Sequence, residues 1–233
     1  MRKSPFLVFF ECSAICLGIL ALVACSDNGT NLEEFNAAIV CPQSGRGTFV
    51  DERDGQVYKF TTIGNQVWMA ENLRYRIKEE SAVDRSNELR SECFFPDDSC
   101  TIMGLAYNWE AAKYACPKGW HLPSEKEWDV LIRRMGGDAE ANYRLRSTNG
   151  WKKLNRNENL SGSDECGFML LPSQQTYKPN IGYEADAWSS SDDSSEENEL
   201  ILFFRIISYR TDLKLLYTDG HKSDLKSVRC LED

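Results

Sequence analysis

Short runs of alternating apolar and polar residues occupy both ends of the chain and predict β-strands. Residues 48–50 and 57–61 are rich in β-branched and aromatic side chains, and Asp54-Gly55 between them is a typical hairpin turn. A second turn at Gly64-Asn65 leads to a strand at residues 67–70. Further strands are predicted at residues 167–171, 187–190, 200–208, 213–217 and 227–231. The chain therefore has β structure towards both ends.

The middle of the chain follows the period of a helix instead. Residues 105–115 predict a first helix, and a capping box at Ser124 and Glu127 begins a second. The apolar face of the second helix consists of Trp128, Leu131, Ile132 and Met135. Residues 139–145 predict a third helix, and the charged stretch 74–101 predicts a long loop. This order indicates an α+β fold with short, mostly antiparallel strands, two to three helices and long loops, whose two ends meet.

The first residues have the three parts of an export signal. Arg2 and Lys3 supply positive charge, residues 5–24 are mostly apolar, and Cys25 follows Ala24. This arrangement resembles the lipobox of bacterial lipoproteins, which implies that residues 1–24 are removed and that Cys25 carries lipid. An uncleaved membrane helix is the alternative, because the apolar run is about as long as a bilayer span.

The remaining chain divides into a tether and a domain. Residues 25–46 are rich in Asn, Gly, Ser and Asp, and we predict a lipidated tether and linker there. Residues 47–233 have the size of a single domain. Ser26 after the lipobox cysteine favours, by resemblance to proteobacterial sorting, the outer membrane or cell surface.

Composition excludes two classes of protein. The 233 residues include 27 basic and 36 acidic side chains, giving a formal charge of −9. A nucleic-acid-binding surface needs a surplus of Lys and Arg, so we expect no nucleic-acid partner. With 42% apolar residues, the chain is also too hydrophobic to be disordered.

Six cysteines follow Cys25, and an even number in an exported chain indicates disulfides. Zinc is the alternative, but it favours paired C-x-x-C spacings, which are absent. Six cysteines allow fifteen pairings. A Pro-Asp-Asp turn favours Cys93 with Cys100, and we expect Cys116 with Cys230, which leaves Cys41 for Cys166.

Several strings in a fixed order carry a resemblance to a known family. They are residues 49–51, 54–59, 63–73, 104–109, 116–124, 188–190 and 227–230. Together they resemble the Fibrobacter succinogenes major paralogous domain, a family of exported bacterial proteins. The segment 119–128 and the Val-Arg-Cys ending resemble, more distantly, formylglycine-generating enzymes and C-type lectin-like domains. This resemblance implies a scaffold in which N- and C-terminal strands pair and helices flank an irregular loop region.

The chain offers few groups for catalysis. Its two histidines are His121, inside a Trp-His-Leu-Pro motif, and His221, beside a turn. We expect His121 to be a structural histidine bonded to partners and His221 to be exposed. The formylglycine-generating enzymes need a free cysteine pair, which the expected disulfides would remove. We therefore predict no catalytic residues and no enzyme activity.

Aromatic side chains in the second half are the candidate ligand-binding residues. Trp151, Tyr177, Tyr183 and Trp188 would stack on sugar rings if exposed, whereas burial in the core is the alternative. The acidic run that begins at Asp192 offers a possible Ca²⁺ site, with a solvated loop as the alternative. Its candidate ligands are Asp192, Asp193, Glu196 and Glu197.

These features predict a lipid-anchored binding or scaffold module of the cell envelope, with a polysaccharide or an envelope protein as its partner. Two alternatives stay open. One is an oxidase or hydrolase on the same scaffold, and the other is a purely structural envelope protein without a soluble ligand.

Overall fold

A computed structural model describes residues 35–77, 89–93, 99–155, 158–172, 182–192, 201–208 and 221–233. These residues belong to one folded unit that runs from Phe35 to Asp233. The unit has the predicted α+β character, and its sheets are largely antiparallel.

The first sheet joins the two ends of the domain. Its strands, in spatial order, are β1 (Arg46–Val50), β2 (Val57–Ile63), β3 (Gln66–Met69), β12 (Leu231–Glu232) and β6 (Trp120–His121). The predicted turn lies between β1 and β2, where Gly55 has a φ of 76°. Leu231 pairs with Trp68 of β3, so the C-terminal strand lies in the same sheet as the N-terminal hairpin.

The second sheet carries the candidate site described below. Its strands, in spatial order, are β10 (Ile201–Ile207), β9 (Glu184–Asp192), β11 (Lys226–Ser227), β5 (Ala106–Tyr107) and β4 (Ser91–Glu92). The pair β9–β11 is parallel, and the other pairs are antiparallel. A separate hairpin consists of β7 (Lys153–Asn155) and β8 (Glu158–Asn159).

The described residues contain five short α-helices, more than the two to three predicted, because α1 and α2 are single short turns of four and five residues. They are α1 (Ala37–Val40), α2 (Ser99–Met103), α3 (Trp109–Ala115), α4 (Glu125–Arg134) and α5 (Asp138–Leu145). The predicted capping box begins α4, where Ser124 and Glu127 bond each other's backbone N–H groups. The apolar face of α4 is buried, and Trp128 stacks on Phe204 of β10 with ring centroids 4.2 Å apart.

Some predicted elements have different bounds. The first predicted helix begins at Trp109 rather than residue 105, because the side chain of Asn108 caps it. The strand predicted at 167–171 is reduced to a single bridge at Leu170, since Gly167 and Met169 have positive φ angles that interrupt extended backbone.

Two further expectations need correction. The strand predicted at 227–231 divides into β11 and β12, which belong to different sheets. The long loop predicted over 74–101 contains β4 and the beginning of α2. The strand predicted at 213–217 lies outside the described residues.

The domain begins earlier than the predicted boundary at residue 47. Phe35 packs against the core, and Cys41 is buried within it. The carbonyl of Val40 accepts a hydrogen bond of 2.7 Å from the backbone N–H of Gly64. The segment from Phe35 to Arg46 is therefore part of the folded unit, and a linker that reaches residue 46 does not agree with the structure.

Candidate ligand-binding site

All six described cysteines are paired, in the combinations expected from the sequence. The Cα atoms are 5.4 Å apart in Cys41–Cys166, 5.6 Å in Cys93–Cys100 and 5.8 Å in Cys116–Cys230. The long-range pairs connect the start of the domain to its middle and the end of α3 to the C-terminal strand. These cysteines are therefore structural in the folded protein.

His121 is held between two carboxylates. Its Nδ1 lies 2.8 Å from Asp233 Oδ1, and its Nε2 lies 3.0 Å from Glu127 Oε1. Partial burial disfavours the charged ring, but these hydrogen bonds outweigh it and raise the pKa of His121. Burial tends to raise the pKa of Glu127, but hydrogen bonds from Ser124 and His121 outweigh it and lower this pKa. The two carboxylates therefore stabilise the protonated form of the ring.

This geometry explains the Trp-His-Leu-Pro motif. The hydroxyl of Ser124 donates to Glu127 Oε2 at 2.7 Å and not to His121. With both ring nitrogens engaged by carboxylates, His121 has no nitrogen free to accept a proton from a nucleophile. Its contacts instead join the C-terminal residue Asp233 to the start of α4.

Arg229 lies fully buried between the two ends of the domain. Its Nε and Nη2 donate to Asn72 Oδ1 at 3.2 and 2.7 Å. Nη1 donates to the carbonyl of Phe168, and Nη2 also donates to that of Met169 at 3.3 Å. We call these four residues the Arg229 centre. Burial lowers the pKa of Arg229 to about 9, so the side chain is still charged at neutral pH.

Arg146 is also buried, but it has fewer hydrogen-bond partners than Arg229. It follows the last residue of α5 with extended backbone, and its side chain is only 6% exposed. Nη1 donates to the carbonyl of Ser208 at 2.6 Å, and the guanidinium lies 5.4 Å from the centre of the Trp151 ring. Its buried Nε has no hydrogen-bond partner within the described ranges. Burial lowers the pKa of Arg146 to about 10, which leaves it charged.

Polar and aromatic groups surround this arginine. Tyr143, one helical turn earlier, is 50% exposed. Ser208 has a buried hydroxyl without a partner among the described residues, and its N–H donates to the carbonyl of Tyr183 at 2.8 Å. Lys152 is exposed, with Nζ 5.6 Å from the centre of the Tyr183 ring. We call Tyr143, Arg146, Trp151, Lys152, Tyr183 and Ser208 the Arg146 site.

The backbone fixes one side of the Arg146 site. The N–H of Lys152 donates to the carbonyl of Gly182 at 3.0 Å. Gly182 has a φ of 89°, and a Cβ there would lie 2.6 Å from Cγ of Lys152. Glycine thus lets the lysine stem pass close to the backbone before Tyr183.

A comparison with protein-family models matches residues 61–232 to the Fibrobacter succinogenes major domain. The chain belongs to this family. Searches of curated proteins and of solved structures found no match. The Fibrobacter succinogenes major domain includes every residue of the Arg229 centre and the Arg146 site. Cys41 precedes the matched stretch but lies within the folded unit.

Two of the aromatic residues predicted to bind a ligand in this Fibrobacter succinogenes major domain are buried instead. Trp151 is 7% exposed, and its Nε1 donates to Ser147 Oγ and to the carbonyl of Leu170 at 3.1 and 3.2 Å. Trp188 is completely buried, and its Nε1 donates to the carbonyl of Tyr107 at 2.6 Å. Both rings are core residues with satisfied N–H groups, because apolar area favours burial.

Other predicted site residues have mixed outcomes. Tyr183 is partly buried at the Arg146 site. Of the acidic run, Asp192 lies at the end of β9. Five predicted site residues lie outside the described residues: Cys25, Tyr177, Asp193, Glu196 and Glu197. Within the described ranges, no group of three His, Cys, Asp or Glu residues could hold a metal ion, and no helix has the length and apolar character of a membrane span.

Sequence reasoning missed Arg146, Lys152, Ser208 and Tyr143. Arg144, two positions before Arg146, forms an ion pair of 3.0 Å with Glu140 on α5. The sequence places both arginines near the end of one weak helix, and nothing in it distinguishes them. The difference arises where the helix ends, since Arg146 then turns into the interior.

Proposed function

We propose that this protein is a lipid-anchored module of the bacterial cell envelope that binds a glycan and does not catalyse a reaction. Residues 1–24 would be the export signal, and lipid on Cys25 would hold the domain at the outer membrane or cell surface. The observation that carries the binding function is the Arg146 site, where aromatic rings and unsatisfied hydrogen-bonding groups lie together.

The proposed location rests on the signal-like N-terminus and the disulfides. Disulfides persist in oxidising compartments and are rare in the cytosol. Two of the pairs enclose long stretches of chain, with sequence separations of 125 and 114 residues. A domain held together in this way is suited to the cell exterior. Two or more acyl chains on one protein are enough for durable membrane attachment.

A glycan fits the chemistry of the Arg146 site. Sugar rings present C–H faces to aromatic side chains and hydroxyls to hydrogen-bonding groups. Tyr143 offers an exposed ring, and Tyr183 with Lys152 offers a second aromatic and a cation. Trp151, being buried, would support Arg146 from below rather than stack on the ligand.

We also propose that the domain has the C-type lectin-like scaffold implied by its resemblance. The pairing of β12 with β3 supports this assignment, as does α4, whose Trp128 contacts Trp68 of the first sheet and Phe204 of the second. A non-catalytic role is supported by His121, whose two ring nitrogens are engaged by Asp233 and Glu127.

Glycan-array binding by the full chain in detergent tests the proposed function. We expect retention on at least one envelope or plant polysaccharide and a loss of about tenfold or more in affinity for Tyr143→Ala, which corresponds to about 1.4 kcal/mol. Tyr114→Ala is the matched control, because Tyr114 is 69% exposed on α3, away from the Arg146 site. An array without any bound saccharide would refute the glycan function.

Fatty-acid labelling in a bacterial host tests the anchor. We expect label on the wild-type chain and none on Cys25→Ser, whereas the Cys93→Ser/Cys100→Ser variant should keep it. Equal labelling of wild type and Cys25→Ser would contradict the assignment of the lipid to Cys25.

A further inference from the structure

Three arginines of the domain are largely withdrawn from water, and their charges are met in different ways. Arg205 donates from Nε and Nη2 to both carboxylate oxygens of Asp186 at 2.7 and 2.9 Å. Arg229 has no carboxylate among its hydrogen-bond acceptors, but it makes four hydrogen bonds to neutral oxygens. Arg146 has one hydrogen bond, to the carbonyl of Ser208. Its charge is the least satisfied of the three.

The unsatisfied part of Arg146 has a defined shape. The guanidinium donates through Nη1 to Ser208, which leaves the edge formed by Nε and Nη2. This edge presents two parallel N–H groups, the geometry that receives both oxygens of a carboxylate. Arg205 uses the same edge for Asp186. In Arg146 no carboxylate of the described residues forms an ion pair with it.

A buried charge without a counter-ion is costly, so folded proteins seldom keep one without compensation. The hydroxyl of Ser208 adds a second unsatisfied group at the same place. The hydrogen bonds that make Arg229 a structural residue have no equivalent at Arg146. Arg146 donates to one carbonyl and lies over one aromatic ring. A ligand that brings a negative charge would satisfy the guanidinium.

We propose that the Arg146 site binds the carboxylate of an acidic sugar, so that the glycan ligand of this domain is a uronic-acid polysaccharide. This assignment rests on the proposed glycan function and narrows it to one chemical class. The carboxylate pairs with the guanidinium of Arg146, which has to shift towards solvent to receive it because its Nε is buried. The sugar then extends over the exposed surface that includes Tyr143 and Lys152.

Local charge favours this ligand over a general polyanion surface. The whole chain has a formal charge of −9, so it repels polyanions except where cations are concentrated. Arg146 and exposed Lys152 form such a place. Gly150 is exposed next to buried Trp151, which leaves the edge of the site without a bulky side chain.

Calorimetric titration of the full chain in detergent with polygalacturonate tests the proposal. Fully methyl-esterified polygalacturonate is the matched ligand, because esterification removes the charge and keeps the sugar backbone. At physiological salt we expect the acid to bind about tenfold or more tightly than the ester. We expect Arg146→Met and Arg146→Lys to lose about tenfold or more, since lysine keeps the charge but lacks the two-pronged geometry.

Arg133→Met is the control variant. Arg133 is exposed on α4, so its substitution removes one positive charge from the protein without altering the Arg146 site. Its affinity should match wild type. Circular dichroism and thermal melting establish that each variant is folded before titration. Equal losses in Arg133→Met and Arg146→Met would overturn the proposal, as they would indicate a general charge effect.

The remaining outcomes separate the two proposals. Equal binding of acid and ester, unaffected by Arg146→Met, would refute the carboxylate assignment while the glycan function stands. Tighter binding of dextran sulfate than of polygalacturonate would replace carboxylate by sulfate and overturn the assignment. Absence of binding to acidic polymers, with neutral glycans bound on the array, would refute only this inference. Absence of binding to every saccharide would refute the proposed function as well.

Discussion

The Arg229 centre and the Arg146 site place the same chemical group in the protein interior with opposite results. Burial lowers the pKa of both arginines, to about 9 and about 10, and both are still charged at neutral pH. Arg229 is surrounded by acceptors, whereas Arg146 has one carbonyl and an aromatic ring. A buried cation saturated with neutral acceptors is a structural element. One with a buried donor that lacks a partner is better explained by a ligand.

The two arginines also differ in what they connect. Arg229 contacts Asn72 and Phe168, which are 157 and 61 positions away in the sequence. Next to it, Cys230 is bonded to Cys116, and Cys166 near Phe168 is bonded to Cys41. The Arg229 centre thus lies where both long-range disulfides meet the core. Losing it should affect stability, and losing Arg146 should affect binding.

Removing the disulfide beside the Arg229 centre should have the largest effect on stability. Cys41→Ser/Cys166→Ser opens a loop with a sequence separation of 125 residues. In the chain-entropy model this lowers the free energy of unfolding by about 5 kcal/mol. Urea denaturation followed by tryptophan fluorescence measures the loss.

The short disulfide is the control for this prediction. Cys93→Ser/Cys100→Ser opens a loop with a separation of 7 residues, for which the same model gives about 2.5 kcal/mol. If both variants lost the same stability, loop length would not be the cause, and the role of Cys166 in holding the segment at Phe168 would be in doubt.

Arg229→Met should lower the free energy of unfolding by about 3–5 kcal/mol, a range typical of breaking a buried polar network. The change leaves Asn72 Oδ1 and the carbonyls of Phe168 and Met169 without their donor in the interior. Asn72→Ala is a second test, because it removes the acceptor and leaves the guanidinium buried. If the free energy of unfolding of both variants lay within about 1 kcal/mol of wild type, the Arg229 centre would not have the stabilising role proposed for it.

The sequence predicts much of what surrounds the Arg229 centre. Local signals identify the hairpin at Gly55 and the capping box at Ser124, because turn and cap chemistry depend on neighbouring residues. Asn72 and Arg229 lie in strings that carry the family resemblance, but their contact spans 157 positions. Their pairing therefore becomes visible only in three dimensions.

The Arg146 site is harder to predict for the same reason. Ser208, which holds Arg146, is 62 positions away, and no motif marks either residue. Periodicity also cannot show that Trp151 is buried, because an isolated aromatic outside a regular element has no face to compare. The groups that satisfy its buried N–H, Ser147 Oγ and the carbonyl of Leu170, are likewise known only from the structure.

His121 forms ion pairs near the surface. Their contribution to stability can be compared with that of the two buried arginines. Because its folded pKa is raised, its contribution to stability is complete below the unfolded pKa of about 6.5 and is lost as pH rises through the folded value. We expect wild type to lose up to about 1 kcal/mol relative to His121→Gln between pH 6 and pH 8.5, a small value because the ring and Asp233 are solvated. Urea denaturation across this range measures it.

His221→Gln is the control, since His221 is exposed and lies in a different part of the chain. It should keep the pH dependence of wild type. A wild-type stability that rose relative to His121→Gln with increasing pH would contradict the proposed sign, and with it the stabilisation of the charged ring by its two carboxylates.

Arg146→Met should have the smallest effect on stability and the opposite character to Arg229→Met. Methionine is an unbranched side chain that can fill much of the space of the arginine stem. Loss of the unpaired charge then offsets loss of the bond to the Ser208 carbonyl. We expect a free energy of unfolding between that of wild type and about 1 kcal/mol above it. Urea denaturation of both variants under one set of conditions makes the comparison direct. If Arg146→Met lowered the free energy of unfolding as much as Arg229→Met does, Arg146 would be a structural residue. The reason for assigning it a ligand would then be removed.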